Sequence, residues 1–356
     1  MEVKNKTNLT DRQKWVLYQV VDGIKNQNKM ICKIGGFAGT GKTTLIKYII
    51  KFFPDFLVCA YTGKAANVLR KKGISNAATI HSLIYKPHLS FGEVYWDLAE
   101  SVPCSGFIVD EASMVSSDIF EDLQSFGIPI IFVGDHGQLE PIDSNFNLME
   151  KPDYTLEEIH RNAGDIAKFA ERLRKGFSSR GFKSLDNSVE FIGGKKLSDN
   201  ILMDVSQVIC AFNKTRVDIN NQIRSVLGYE GFLNVGERVM CLRNNKTFNL
   251  FNGMQGVVKD IYQERYRTYI DFEFDNMTIS RILLDKTNFG KESYDIKHGK
   301  DTPNPFDYAY CITAHKSQGD EFDSVLVLEQ QCKNWSHKRW AYTAASRAKN
   351  KLIWKY

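Results

Sequence analysis

With 43% apolar and 25% charged residues over 356 positions, the chain can fill about two to three packed cores, and a disordered or low-complexity protein is excluded. A net charge of +5 leans toward an anionic partner but is too small to mark a nucleic-acid binder by itself. Cys32, Cys59, Cys104, Cys210, Cys241, Cys311 and Cys332 form no C-x-x-C pair, which disfavours a zinc ribbon or a disulfide framework and fits a reducing cytosol. No apolar run approaches the ~20 residues that cross a bilayer. Met1 to Asp11 is polar and lacks a signal-peptide core, so a cytoplasmic protein with no membrane partner is expected.

The first apolar run, Met30 to Ile34, leads into Gly36-Phe37-Ala38-Gly39-Thr40-Gly41-Lys42-Thr43 and a helical stretch from Thr44 to Phe53. Strand, G-x-x-x-x-G-K-T loop and helix together make a P-loop. Its glycines let backbone N–H groups cradle phosphates, and the helix start adds its positive end. Lys42 is placed to reach the β- and γ-phosphates, and the Thr43 hydroxyl to hold Mg²⁺.

Phe56 to Tyr61 reads as a second strand, followed by Thr62-Gly63-Lys64-Ala65-Ala66. Between Tyr85 and Ser105, Gly92 among apolar residues predicts a hairpin with Phe91 near its tip. Phe107 to Val109 is a buried strand that ends in Asp110 and Glu111, a cation-binding acid and a general base. Ile128 to Val133 is another strand, and Gln138 just beyond it lies at the edge where an open α/β sheet meets its ligand. Strands alternating with helices predict a parallel doubly wound sheet.

In the second half, Lys175 to Lys196 reads as a surface excursion. Gln207 to Phe212 is a strand, Arg216 to Val226 a helix, and Ser324 to Leu328 and Lys351 to Trp354 are further strands; a helix starts at Trp335. Asn252-Gly253 is a hairpin signal, and Ile270, Phe272 and Phe274 alternate with acids in a half-buried strand before the turn at Asp275-Asn276. These short strands predict a small β-barrel at about 257–305. Eight Lys/Arg against nine Asp/Glu in that stretch argue against a strong electrostatic DNA clamp there.

Taken in order, these motifs resemble those of superfamily 1 DNA helicases of the RecD-like, 5′-to-3′ branch, of the phage Dda type. Gln13 matches the adenine-reading glutamine. Gly36, Ala38, Gly39, Thr40, Gly41, Lys42, Thr43 and Thr44 match the nucleotide loop. Asp110, Glu111 and Gln138 match the catalytic acids and the γ-phosphate sensor. Arg161, in Ile159-His160-Arg161-Asn162, and Arg347, in Tyr342 to Ala348, match the two arginines that reach the γ-phosphate. Gln318 and Gly319 close a motif that also touches nucleotide.

The resemblance implies single-stranded DNA contacts at Thr62, Lys64, Thr79, His81, Asn213, Thr313, His315 and Lys316, and a strand-splitting pin at Phe91. It implies an α/β fold of two RecA-like P-loop cores, 1–155 and 156–356. The first would carry a hairpin insertion at about 85–105 and the second an SH3-like barrel. The implied activity is ATP- and Mg²⁺-dependent 5′-to-3′ translocation on single-stranded DNA with unwinding of forked duplex. Implied settings are replication, recombination or repair, by a monomer working beside a single-strand-binding protein or replisome components. A phage protein would act in the bacterial host cytosol. A translocase that strips proteins without much unwinding, a non-catalytic nucleotide-dependent binding module and a small-molecule P-loop kinase remain as alternatives.

Overall fold

The computed structural model describes residues 9–90, 93–140, 146–158, 164–194, 197–245, 247–297, 302–333 and 335–356, with the backbone alone for those at 87–96. Two compact units emerge: Met1–Tyr61, Ala65–Pro87 and Trp96–Asn162 form one, and Thr62–Lys64, His88–Tyr95 and Ala163–Tyr356 the other.

Through the first part of the chain, α1 (Asp11–Asn26) is followed by β1 (Ile31–Gly36), α2 (Lys42–Phe52), β2 (Phe56–Ala60), α3 (Gly63–Lys71, whose first two residues belong to the second unit), β3 (Ala78–Thr79), α4 (Ile80–Ile84), the paired strands β4 (Tyr85–Ser90) and β5 (Glu93–Leu98), shared between the units, β6 (Gly106–Asp110), α5 (Ser117–Ser125), β7 (Ile130–Gly134) and β8 (Tyr154–Leu156). The sheet runs β3-β2-β6-β7-β1-β8, and its neighbours are parallel. Ile108, Ile131 and Val133 pack on one face with Val16 of α1 and Leu45, Ile46 and Ile49 of α2. Phe107, Val109, Ile130 and Phe132 pack on the other with Ile119 and Leu123 of α5. Burial on both faces is why these strands read as unbroken apolar runs.

The second unit contains α6 (Asp165–Arg174), β9 (Val189–Ile192), α7 (Asp199–Met203), β10 (Gln207–Cys210), α8 (Asn213–Val226), β11 (Arg238–Cys241), β12 (Gln255–Glu264), β13 (Arg267–Phe274), β14 (Met277–Asp285), β15 (Asn304–Tyr308), β16 (Cys311–Thr313), β17 (Phe322–Leu328), α9 (His337–Ala345) and β18 (Ala348–Lys355). Its parallel sheet runs β16-β10-β17-β18-β9. Strands β11 to β15 close into a barrel.

The barrel is larger than the sequence suggests, because β11 at Arg238 supplies its first strand and β15 runs on to Tyr308. Asn252-Gly253 joins no tight hairpin: it ends the long loop from β11 to β12, where the Gly253 N–H returns to the Cys241 carbonyl. Asp275-Asn276 does make a two-residue turn, with both φ angles positive (51° and 61°). Helix α9 starts at His337 rather than Trp335, with Ser336 as the extended residue before it.

A buried ion pair ties α8 to the barrel. Arg216 is 1% exposed and pairs with Asp307, which is fully buried. Asp307 also accepts from the Gly290 N–H (2.7 Å) and from Tyr294 Oη (2.8 Å), while the guanidinium lies 4.9 Å from the Tyr294 ring. Arg216→Ala would strand the carboxylate, so a loss of about 3–5 kcal/mol is expected in urea unfolding. A loss under about 1 kcal/mol would show that Asp307 finds another partner.

Candidate nucleotide and nucleic-acid site

In the first unit, three loops leave the carboxyl ends of the adjacent strands β6, β7 and β1, the edge at which open α/β sheets bind ligands. After β1, Gly39 (φ +80°) and Gly41 (φ +81°) take the left-handed conformation that other residues resist. A Cβ on Gly36 would lie 2.6 Å from Thr40 Oγ1. Thr40 is fully buried and donates its hydroxyl to the Phe37 carbonyl at 2.9 Å, closing the loop. Lys42 starts α2, and its Nζ donates to the carbonyls of Gly36 (2.8 Å) and Phe37 (3.0 Å). The ammonium therefore already lies over the loop, where phosphate oxygens could replace those acceptors. Ala38, Thr43 and Thr44 are half-buried beside it.

Gln13 is 3% exposed and braces this loop from behind. Its Nε2 donates to the Thr40 carbonyl (2.9 Å), and its Oε1 accepts from the Thr10 N–H (3.0 Å). Thr10 Oγ1 accepts in return from the Gln13 N–H, a capping box that fixes the side chain at the start of α1.

Asp110 ends β6 at 8% exposure. Burial pushes its carboxyl up to about 6; Glu111 beside it adds to the shift and Lys42 opposes it. Glu111 takes φ +51°, a left-handed conformation costing of order 1–3 kcal/mol and typical of functional sites. Glu111 Oε2 and Ser113 Oγ are buried and take no hydrogen bond among the described residues. An orphaned carboxylate oxygen beside a reluctantly ionised acid fits a hard divalent cation such as Mg²⁺, which would favour the charged form of Asp110.

Beyond β7, the fully buried Asp135 accepts from the Gly137 N–H (2.9 Å) and from Gln138 Nε2 (3.1 Å). Asp135 thereby fixes the amide of Gln138, a role not assigned from the sequence. The His136 ring sits 4.4 Å from Phe37, linking this loop to the P-loop.

Also in the first unit, Thr79 caps α4 by accepting the Ser82 N–H at 3.2 Å. The exposed His81 lies between the rings of Tyr61 (5.9 Å) and Tyr85 (5.5 Å). Neither tyrosine was singled out from sequence, although Tyr61 directly precedes the Thr62-Gly63-Lys64 stretch. Phe91, the expected pin, and Arg161, the expected first arginine, lie outside the described residues.

In the second unit, Arg347 follows α9 at 4% exposure. It donates from Nε to the Thr343 carbonyl (3.0 Å), from Nη1 to the Asp320 carbonyl (3.1 Å) and from Nη2 to Ser346 Oγ (2.8 Å). Gln318 is 8% exposed, and Gly319 takes φ +81°. Lys64, beside the half-buried Thr62, pairs with Asp320 Oδ2 at 2.5 Å and donates to the Gly253 carbonyl at 3.3 Å. Lys316 donates from Nζ to Asn252 Oδ1 (3.1 Å), and burial lowers its pKa. Thr313 Oγ1 accepts the Lys316 N–H at 3.4 Å. His315 packs edge-on to Trp335 at 5.4 Å, and burial lowers its pKa, which favours the neutral imidazole. Asn213, exposed at the start of α8, accepts from Arg216 Nε at 3.2 Å.

Residues 9–193 match the family described as an AAA domain, and residues 308–353 match the UvrD-like helicase C-terminal domain. The ATP-dependent RecD2 DNA helicase of Deinococcus radiodurans is 25% identical over 98% of this chain and 49% of its own length. The ATP-dependent DNA helicase dda of Enterobacteria phage T4 is 31% identical over 47% of this chain and 43% of its own. The chain thus spans about half the length of these relatives or less. Among solved structures, Bacteroides Pif1 bound to single-stranded DNA superposes with a TM-score of 0.65 at 20% identity, covering 97% of this chain and 92% of that one. That likeness establishes the fold, a two-domain RecA-like arrangement.

Proposed function

This chain belongs to the AAA-domain family, in the RecD-like and Pif1-type branch of superfamily 1 helicases, and from that membership we propose that it is an ATP-dependent 5′-to-3′ DNA helicase. The observation that carries the proposal is the edge of the first unit where Lys42, the Asp110–Glu111 pair and the Asp135-fixed Gln138 leave adjacent strands. The Lys42 ammonium exchanges the Gly36 and Phe37 carbonyls for β- and γ-phosphate oxygens. Glu111 Oε2 takes a proton from the attacking water, and Gln138 orients that water or senses the γ-phosphate. Thr43 and Asp110 would hold Mg²⁺, which when bound neutralises phosphate charge. Gln13 faces the adenine with its second Nε2 hydrogen.

In the same reading, the two RecA-like cores are 1–155 and 156–356, Arg161 and Arg347 act on the γ-phosphate, and Gln318 and Gly319 contact nucleotide. Single-stranded DNA is held by Thr62, Lys64, Thr79, His81, Asn213, Thr313, His315 and Lys316. The Tyr61–His81–Tyr85 rings supply the sequence-tolerant stacking a translocase needs. Phe91 splits the fork. The Lys64–Asp320 and Lys316–Asn252 contacts give way when phosphates compete for the two ammoniums.

Fork unwinding with ATP and Mg²⁺ tests the proposal on duplexes bearing only a 5′ or only a 3′ tail. Opening of the 5′-tailed fork alone is expected, and Phe91→Ala should slow it while DNA-stimulated hydrolysis persists. Opening of the 3′-tailed fork alone would overturn the polarity. DNA-stimulated hydrolysis without opening of either would make the protein a translocase, and hydrolysis indifferent to DNA would remove it from this class of motors.

A further inference from the structure

The barrel as a whole is close to neutral, yet one end of it is not. Strands β12 and β13 pair up to Glu264 and Arg267, so Arg265 and Tyr266 form a two-residue turn. Tyr266 is 101% exposed, the ring standing entirely in solvent. Arg265 takes φ +54° while Tyr266 does not have a positive φ. In a turn of that kind the first position favours glycine, and an arginine there is strained. Fold stability alone would place a glycine and a small polar residue at this turn.

The surrounding charges are arranged to leave the turn basic. The one acid beside it, Glu264, is bound by Arg281. Arg281 itself sits at φ +56°, where the β13–β14 register shifts, and its N–H donates to Asp271 Oδ1 at 2.8 Å. Its guanidinium lies over the rings of Tyr262 (5.7 Å) and Tyr269 (5.3 Å). Lys259, further along β12, is paired with Glu273 at 2.6 Å. Among the described residues, Arg265 and Arg267 make no ion pair and are exposed. The result is an aromatic ring at a tight turn, flanked by two exposed guanidiniums that make no ion pair among the described residues.

We propose that this turn is a second single-stranded nucleic-acid contact, in which Tyr266 stacks on an unpaired base and Arg265 and Arg267 hold the phosphates on either side. A lone aromatic between two cations matches the alternation of base and phosphate along an unpaired strand. The contact is local, so it needs no net positive charge on the barrel. It deepens the helicase reading and rests on it.

The test is equilibrium binding of a labelled oligothymidine to the full chain across a salt series. Tyr266→Ala should weaken binding about fivefold or more, and Tyr266→Phe should restore it, because the ring does the work. The Arg265→Gly, Arg267→Ala double variant should lower the slope of log affinity against log salt by about 1.4, two phosphate contacts at ~0.7 each. Arg265→Gly alone should keep or raise the melting temperature, since glycine suits the turn.

If these variants bind and titrate like the wild type, the turn is not a nucleic-acid contact, and an acidic protein surface becomes its fitting partner; the helicase reading survives that result. If the wild type itself fails to hold the strand, the helicase reading falls with it.

Discussion

Lys42→Ala is expected to lower DNA-stimulated ATP turnover by roughly 10²–10³-fold, the size of effect seen when one preorganised donor to a developing charge is removed. The ammonium now rests on two loop carbonyls, Gly36 and Phe37, in part-buried hydrogen bonds of a side chain that is itself only half-buried, and no ion pair is lost with it among the described residues. Folding stability should therefore change little. Lys42 also holds down the pKa of Asp110, which burial and Glu111 drive the other way. Removing the lysine lets that carboxyl rise further above about 6, so less of it is ionised near neutral pH and Mg²⁺ is bound more weakly.

The variant thus has two faults with separate readouts: steady-state hydrolysis at saturating Mg²⁺ for the missing phosphate contact, and the Mg²⁺ dependence of nucleotide binding for the altered acid. DNA affinity should persist, because the proposed strand contacts do not include Lys42. Turnover within about tenfold of wild type would mean that the loop is not the hydrolytic site.

The nucleotide edge was legible in the sequence because its chemistry is local. A phosphate loop needs glycines and a lysine at fixed spacing, and an acid pair must follow a buried strand; both patterns survive reading without coordinates. Asp135 was not legible in the same way. It lies in the string that contains Gln138, but its work is to fix a neighbour's amide, and nothing in spacing distinguishes that from a solvated loop acid.

The Tyr61–His81–Tyr85 stack was missed for a different reason. Its members come from the residue after β2, from α4 and from β4, and only the fold brings them together. The barrel was anticipated but its bounds were cut short at the start, because β11 is only four residues long and its place is set by pairing with β12 and β15. Its charge balance is a sum over the whole stretch, and a sum cannot show that Arg281 pairs with Glu264 while Arg265 and Arg267 make no ion pair among the described residues.

Arg347→Ala is expected to reduce hydrolysis by about 10³–10⁵-fold if the guanidinium completes the charge on the transferring γ-phosphoryl group. In this structure Arg347 is also a fastener, with three of its five N–H donors on Thr343, Asp320 and Ser346. A purely structural arginine would show its loss chiefly in unfolding, through the two carbonyls left without it. A catalytic one would show a far larger loss in single-turnover hydrolysis than in stability, with nucleotide affinity nearly intact.

Arg347→Lys separates the two further, because lysine keeps the charge but cannot reproduce a planar fork with three partners. Partial recovery of rate in the lysine variant assigns the role to charge; recovery of stability without rate assigns it to the fastening. Asp320 adds a third readout. Its carbonyl accepts from Arg347 and its carboxylate pairs with Lys64, so loosening Arg347 should also change DNA affinity if Lys64 is a phosphate contact. A rate within tenfold of wild type, with lowered stability and altered DNA affinity, would make Arg347 a positioning residue for Lys64 and leave Arg161 to act on the γ-phosphate.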